Sequence, residues 1–294
     1  MEKKLLLIIN PVSGLKLGLL YLPKIVEILS SSGFTVFTMM TGKRGDAAEW
    51  AESYGENFDL IVAVGGDGTF NEVVGGNIKG AGRPLGYIPC GSTNDFASSI
   101  GLKTDILSAA KAIVNGSEHT FDAGRFGDRT FTYVASFGAF TKASYSTPQN
   151  AKNILGHLAY ILESGKELSS LKAENVSLIC DEKEYSGKYI FGAISNSTSL
   201  GGVVSLDKTK VDMNDGKFEV ILIKKLSKPS DLSKTVYALT TQNLENCDTI
   251  EFFESSKIKV LKNPARGWSL DGEFEHGQDD SEIENVKSVI RMVF

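Results

Sequence analysis

The hydrophobic pattern changes character once along the chain, near residue 120. Before that point, short apolar runs at Leu5–Ile9, Phe34–Met40, Leu60–Val64 and Pro84–Ile88 alternate with segments of helical period. Unbroken runs of this length fit strands buried on both faces, as in a parallel sheet. Leu22, Ile25, Val26 and Leu29 recur at helical spacing within Tyr21–Leu29, and Gly33 follows as a stop. Asp46 is placed to cap a helix carrying Ala48, Trp50 and Ala51, and Ile106–Val114 reads as a further helix. Strict strand–helix alternation predicts a doubly wound α/β domain with helices on both faces. From His119 onward the β-rich runs follow one another: Phe121–Phe126, Thr130–Phe137, Val176–Cys180, Tyr189–Ser195, Phe218–Ile223, Thr249–Val260 and Val286–Val293. Only Lys152–Leu168 and Ser230–Gln242 look helical there, which predicts a mainly antiparallel, β-sandwich-like second domain. The expected division is an α/β domain over 1–121 and a β-rich domain over 122–294, with the cleft between them as the default active site.

Function should sit where turns follow strands, because ligands of open α/β sheets bind beyond the carboxyl ends of the strands. The third run stops abruptly on Gly65, Gly66 and Gly68, with Asp67 and Thr69 interleaved. Thr69 followed by Glu72 has capping-box spacing, so a helix is expected to start there. Strand, glycine turn and helix N-terminus together make a phosphate cradle, since unpaired amides at the positive helix end attract an anion. A dinucleotide fingerprint would need glycine where Asn71 stands, and no Gly-Lys-Ser/Thr tripeptide follows a strand. A purely structural turn explains one or two glycines but not an aspartate among three. Small-residue turns also follow the other strands: Asn10, Pro11, Val12, Ser13 and Gly14 after the first, Thr41 after the second, and Gly91, Ser92 and Thr93 after the fourth. Asn94 or Thr93 is free to cap the short helix beyond.

Composition narrows the classes. The 294 residues are 41% hydrophobic and 23% charged, as in an ordinary globular protein, with a net charge of −5 that argues against a general nucleic-acid binder. Three widely spaced cysteines indicate neither a disulfide framework nor a zinc site and read as reduced thiols. Asn10-Pro11 ends the first apolar run too early for a signal peptide or membrane span, so a cytoplasmic protein is expected.

Two carboxylates flank a glycine in Leu270-Asp271-Gly272-Glu273. Asp-Gly between strands is a hairpin signal, but phosphoryl transfer to an alcohol also needs a carboxylate to accept the hydroxyl proton. Asp212, Asp215 and Lys217 lie in an oxygen-rich stretch with Asp207 just upstream, a chemistry suited to a hard cation and equally to a structural turn. His119, His157 and His276 share no metal spacing. Part of Phe137–Leu162, with Tyr145, Leu155, Leu158, Tyr160 and Ile161, could line an acyl-chain pocket or touch a bilayer, although core packing explains most of it.

Taken in order, these motifs resemble those of the bacterial soluble diacylglycerol kinases, within a superfamily whose glycine-aspartate motif is shared by NAD kinases and phosphofructokinases. The carriers are Asn10–Gly14, Thr41 with Gly45-Asp46-Ala47, Gly65–Thr69 with Asn71-Glu72, Pro89–Asp95, and Leu270-Asp271-Gly272-Glu273. Ser92 stands where the family commonly has Thr after Gly, and Thr93 restores the hydroxyl. The resemblance implies ATP on the first three loops and Gly91–Thr93, including Glu72. It implies a structural magnesium on Asp215, Asp212 and Lys217, linked through water to Asp67. Asp271 becomes the expected general base, and Glu273 a neighbour of the nucleotide. The implied activity is transfer of the γ-phosphoryl group to diacylglycerol or a related lipid, giving phosphatidic acid. The implied partner is a lipid at the inner face of the membrane, met by transient peripheral contact without a transmembrane segment; a homodimer is compatible with it. The alternatives are an NAD kinase-like enzyme and a non-catalytic nucleotide-binding regulator on the same fold.

Overall fold

In the computed structural model the described residues are 3–139, 158, 171–198, 206 and 211–294. They form two compact units, Met1–Ala123 with Val286–Phe294, and Gly124–Asn285. The chain passes from the first unit to the second after Ala123 and returns to the first at Val286.

The first unit is a parallel sheet. Strands β1 (Lys3–Ile9), β2 (Phe34–Met40), β3 (Leu60–Gly65), β4 (Leu85–Pro89) and the end of β15 (Ser281–Val293) lie in the order β15-β4-β3-β1-β2, each neighbouring pair parallel. Strand order reverses beside β1, so the loops after β1 and β3 open at the switch point. Leu5, Leu7, Ile9, Val62 and Val64 pack with Ile25 and Leu29 of α1 (Leu17–Ser31) and with Ile106, Ala109, Ala110 and Ile113 of α5 (Ile106–Asn115). Helices α2 (Asp46–Tyr54) and α3 (Asp67–Lys79) pack together, and a Cβ at Gly76 would strike the Ala48 backbone. Gly33 takes the left-handed conformation (φ 91°) after α1, as expected of a helix stop.

The second unit is antiparallel. Its strands β7 (Val134–Gly138), β8 (Glu174–Cys180), β9 (Lys183–Ser195), β12 (Lys257–Lys262), β13 (Trp268–Leu270) and β14 (Glu273–Glu275) run in the order β14-β13-β7-β9-β8-β12-β15. A further pair, β10 (Phe218–Lys224) and β11 (Ile250–Ser255), joins at β9. A hairpin of β5 (Glu118–Phe126) and β6 (Arg129–Phe131) turns through Gly127. Trp268, Phe126, Phe131, Phe137 and Phe218 fill the core. The helix expected over Ser230–Gln242 is Pro229–Thr241, while that over Lys152–Leu168 lies outside the described residues apart from Leu158, as do Tyr145, His157 and Asp207.

Two predicted strands are each broken in two by an aspartate. The run Thr130–Phe137 divides because the Thr132, Tyr133 and Val134 amides turn to the Asp271 carboxylate. The run Thr249–Val260 divides at Ser256, whose amide, with that of Lys257, donates to Asp181. A side chain has substituted for ladder partners in both places.

Candidate active site

The loops at the carboxyl ends of β1, β3 and β4 are tied to one another. Asn10 Oδ1 accepts from its own loop at the Val12 amide (3.1 Å), and Asn10 Nδ2 donates to Thr69 Oγ1 (3.1 Å). Gly66 N donates to Ser13 Oγ at 3.1 Å. Gly14 has φ 54°, and a side chain there would strike the Cys90 carbonyl oxygen. Gly66 and Gly91 pack backbone to backbone; a Cβ on Gly91 would lie 2.7 Å from the Gly66 Cα. In contrast, a Cβ on Gly68 meets nothing within 4 Å, so the first turn of α3 faces open space. Pro11 is partly exposed, Val12 is 70% exposed, and Thr41 extends from β2 with its amide on the Ile9 carbonyl (2.9 Å).

The expected capping box does not form. Helix α3 starts at Asp67 with Gly66 as N-cap and no side-chain cap, so its first amides are open to an external anion. Glu72 Oε1 instead accepts from Gly45 N (3.0 Å), bracing the loop after β2, and Asp46 Oδ2 accepts from the Gly42 and Lys43 amides. Asp46 is therefore the first residue of α2, with Gly45 as its N-cap.

Asp67 is buried, and burial pushes its carboxyl up against the pull of neighbouring donors. One oxygen accepts from Thr93 Oγ1 (3.1 Å) and the other from the Phe96 amide (3.3 Å). Asn94, the left-handed residue before the short helix Asp95–Ser99, accepts the Gly91 amide on its side chain. Thr93, not Ser92, supplies the hydroxyl that meets Asp67. Asp95, a motif residue outside the expected site set, feels the same buried charge: burial, then the Asp67 charge, pushes it up to about 6. Its position directly after Asn94 in the motif was the available signal.

In the second unit, Asp271 and Gly272 (φ 49° and 85°) make the two-residue turn of the β13–β14 hairpin. The hairpin reading of Asp-Gly is thus realised. The Asp271 carboxylate is enclosed: Oδ2 accepts from Thr132 N and Thr132 Oγ1 (2.8 Å), and Oδ1 from Tyr133 N (3.1 Å) and Val134 N (2.9 Å). Burial pushes it up to about 6 while the donors pull it down, leaving it ionised at neutral pH. Glu273, one residue past the turn, is 29% exposed and bonded to Arg129 (3.0 Å).

Asp212 Oδ1 accepts the Asn214 amide (3.0 Å) and Asp215 Oδ1 the Lys217 amide (2.8 Å) in a tight loop with Gly216 at φ 86°. The Lys217 ammonium pairs with Glu254, and its carbonyl accepts from Asn285 Nδ2 (2.9 Å). Asn285 Oδ1 is buried without a hydrogen-bond partner. The adjacent Glu219 is pushed up to about 8, by burial first and then by Asp215, Glu254 and Asp212. Surplus negative charge and an orphaned oxygen acceptor are the donor chemistry of a hard cation. Among the described residues no three His, Cys, Asp or Glu side chains converge, so backbone oxygens would complete any such site. Cys90, Cys180 and Cys247 are free and buried, and burial pushes the Cys90 thiol up to about 11.

Residues 4–126 match the family model for the diacylglycerol kinase catalytic domain. The chain is 34% identical over 275 residues to a diacylglycerol kinase of Bacillus subtilis, covering 92% of this chain and 90% of that protein. This chain belongs to the diacylglycerol kinase family. Its catalytic class is therefore kinase, a phosphotransferase with an alcohol acceptor. A diacylglycerol kinase of Staphylococcus saprophyticus is 35% identical over 227 residues, 76% of this chain and 74% of that protein. Among solved structures, a diacylglycerol kinase of Bacillus anthracis shares this fold with a TM-score of 0.77 at 24% identity, covering 100% and 97% of the two chains. An NAD kinase of Archaeoglobus fulgidus in complex with ATP aligns with a TM-score of 0.51 at 17% identity over 99% and 92%. The match to the family model falls almost wholly on the first unit of this kinase.

Proposed function

We propose that this kinase transfers the γ-phosphoryl group of ATP to the hydroxyl of diacylglycerol or a related lipid, giving phosphatidic acid. The observation that carries the reading is the interlocked set of loops whose inner wall, at Gly68 and the uncapped start of α3, faces open space. Asn10, Pro11, Val12, Ser13, Gly14, Thr41, Gly65, Gly66, Gly68, Thr69, Gly91, Ser92 and Thr93 bind the nucleotide in this reading. Phosphoryl transfer asks a protein mainly for positioning and charge stabilisation, which fixed amides supply without reorganisation. Glu72 acts one step back, through the Gly45 amide it holds. Asp67 contributes a buried carboxylate beside the phosphates, steadied by Thr93.

Within the Asp271-Gly272-Glu273 turn we divide the labour by exposure. Both Asp271 oxygens are already filled by protein donors, so Asp271 anchors the turn and Glu273, the partly exposed acid, accepts the hydroxyl proton. This moves the general-base role from the residue expected on sequence to its neighbour. Magnesium would be held by Asp215 and the backbone oxygens of Asp212 and Lys217, where it supplies charge neutralisation. No helix among the described residues is long and apolar enough to cross a membrane, and peripheral contact with the lipid surface fits this reading. Labelled ATP offered to diacylglycerol in mixed micelles, and separately to NAD, tests the proposal. Labelled phosphatidic acid is the expected product; label in NADP alone would overturn it.

A further inference from the structure

The short strand β14 is held by one guanidinium. Arg129 Nη2 donates to Glu273 Oε2 (3.0 Å), while Nη1 donates to Glu275 Oε2 (2.9 Å) and to the Phe274 carbonyl (3.0 Å). Every residue of β14 thus gives one oxygen to the same side chain. The strand ends its sheet, and its ladder partner among the described residues is β13. The side chains of Arg129, Glu273 and Glu275 are 32%, 29% and 27% exposed, so the clamp is partly desolvated rather than a loose surface pair. Glu273 and Glu275 lie two apart and project from one face of the strand. Holding them together costs like-charge repulsion, which the guanidinium offsets.

We infer that Arg129 is the positioning residue of this reaction, fixing the rotamer and the strand that present Glu273. The inference rests on Glu273 as proton acceptor. Arg129 reaches it from β6, in the same unit but across the β5–β6 hairpin, and is itself held where Phe126 pairs with it. Bridging two carboxylates and a carbonyl requires a planar fork with several donors; a lysine ammonium is a point charge and meets one partner well. A reacting group displaced by about 1 Å loses about 10²-fold in rate. The hydrogen bonds of this side chain go to β14, so the loss belongs in kcat rather than in KM for ATP.

The test compares R129M, R129K, E273Q and R125M by steady-state kinetics and thermal melting. Arg125 lies on the same hairpin and pairs with Glu284, away from β14, and serves as the control for losing an ion pair. R129M is expected to lower kcat about 10²-fold with KM for ATP within about twofold, R129K to recover part of that loss, and R125M to keep wild-type kcat. R129M combined with E273Q should be no slower than E273Q alone, because the two act as one unit. R129M with wild-type kcat while E273Q is inactive overturns the clamp and leaves Glu273 standing. E273Q with wild-type kcat removes the base and the clamp together.

Discussion

Thr93 Oγ1 donates a hydrogen bond of 3.1 Å to Asp67 Oδ2, linking the turn after β4 to the first residue of α3. The bond spans loops that follow different strands, and it decides which of two adjacent hydroxyls, Ser92 or Thr93, serves the buried carboxylate. Ser92 is exposed.

Replacing Thr93 with Val should therefore lower kcat by about tenfold or more, since a hydrogen bond to a charged group contributes about 1.5–3 kcal/mol. Thr93→Ser restores the donor and most of the rate. Ser92→Ala should keep kcat within about twofold of wild type, any loss falling on KM for ATP. Parallel kinetics on the three variants check this, and equal losses at 92 and 93 would contradict it.

Two glycines in the loops should respond in opposite ways to the same methyl group. Gly14→Ala meets a left-handed backbone and the Cys90 carbonyl, so melting temperature should fall. Gly68→Ala enters open space in a helix, where alanine is favoured by up to about 1 kcal/mol. Stability should hold or rise while KM for ATP increases. Thermal melting alongside ATP titration separates the effects.

Asp271→Asn puts an amide group among four donors, leaving one or more of them buried and unpaired. We expect a stability loss of about 2–4 kcal/mol in chemical denaturation, by the cost of orphaned buried donors. Glu273→Gln, partly exposed at the start of β14, should leave the denaturation midpoint near wild type and remove turnover. A stable but inactive Asp271→Asn protein would return the proton-accepting role to Asp271.

Asp95 sets a pH dependence whose sign follows from its burial. Its carboxyl is pushed from 3.8 up to about 6, so the folded state binds the proton more tightly than the unfolded chain. Its contribution to stability is fully present below pH about 4 and is lost as pH rises through about 6. Asp67, also pushed up by burial, acts in the same sense. Asp95→Asn should flatten the stability profile between these limits by at most about 3 kcal/mol, at 1.36 kcal/mol per unit. Denaturation midpoints measured from pH 4 to 7 provide the check.

The parallel unit was legible because its signals are local. Leu60–Val64 and Phe34–Met40 are apolar runs ended by glycine or threonine, and the observed strands begin and end within a residue or two of them. Asn10, Ser13, Thr69, Gly91 and Thr93 could be named from their places after strands, and they lie in loops that bond or pack together. What the sequence could not carry was partner choice over distance. Glu72 had capping-box spacing, yet its carboxylate found Gly45, because α3 begins two residues earlier at Asp67. Asp271 and Glu273 differ little as letters in a motif; only the amides of Thr132–Val134, more than a hundred residues away, make one an anchor and leave the other partly open. Arg129 gave no signal at all, being a lone arginine in a hairpin.

The final strand carries a temporal consequence. Met292 aligns beside Leu85 on the outer side of β4, and Phe294 exchanges backbone hydrogen bonds with Ser117. During synthesis the parallel sheet must therefore wait with that flank uncovered until residues 286–294 leave the ribosome, long after its other strands have emerged. Nascent chains halted before residue 286 should accordingly be the most dependent on chaperones.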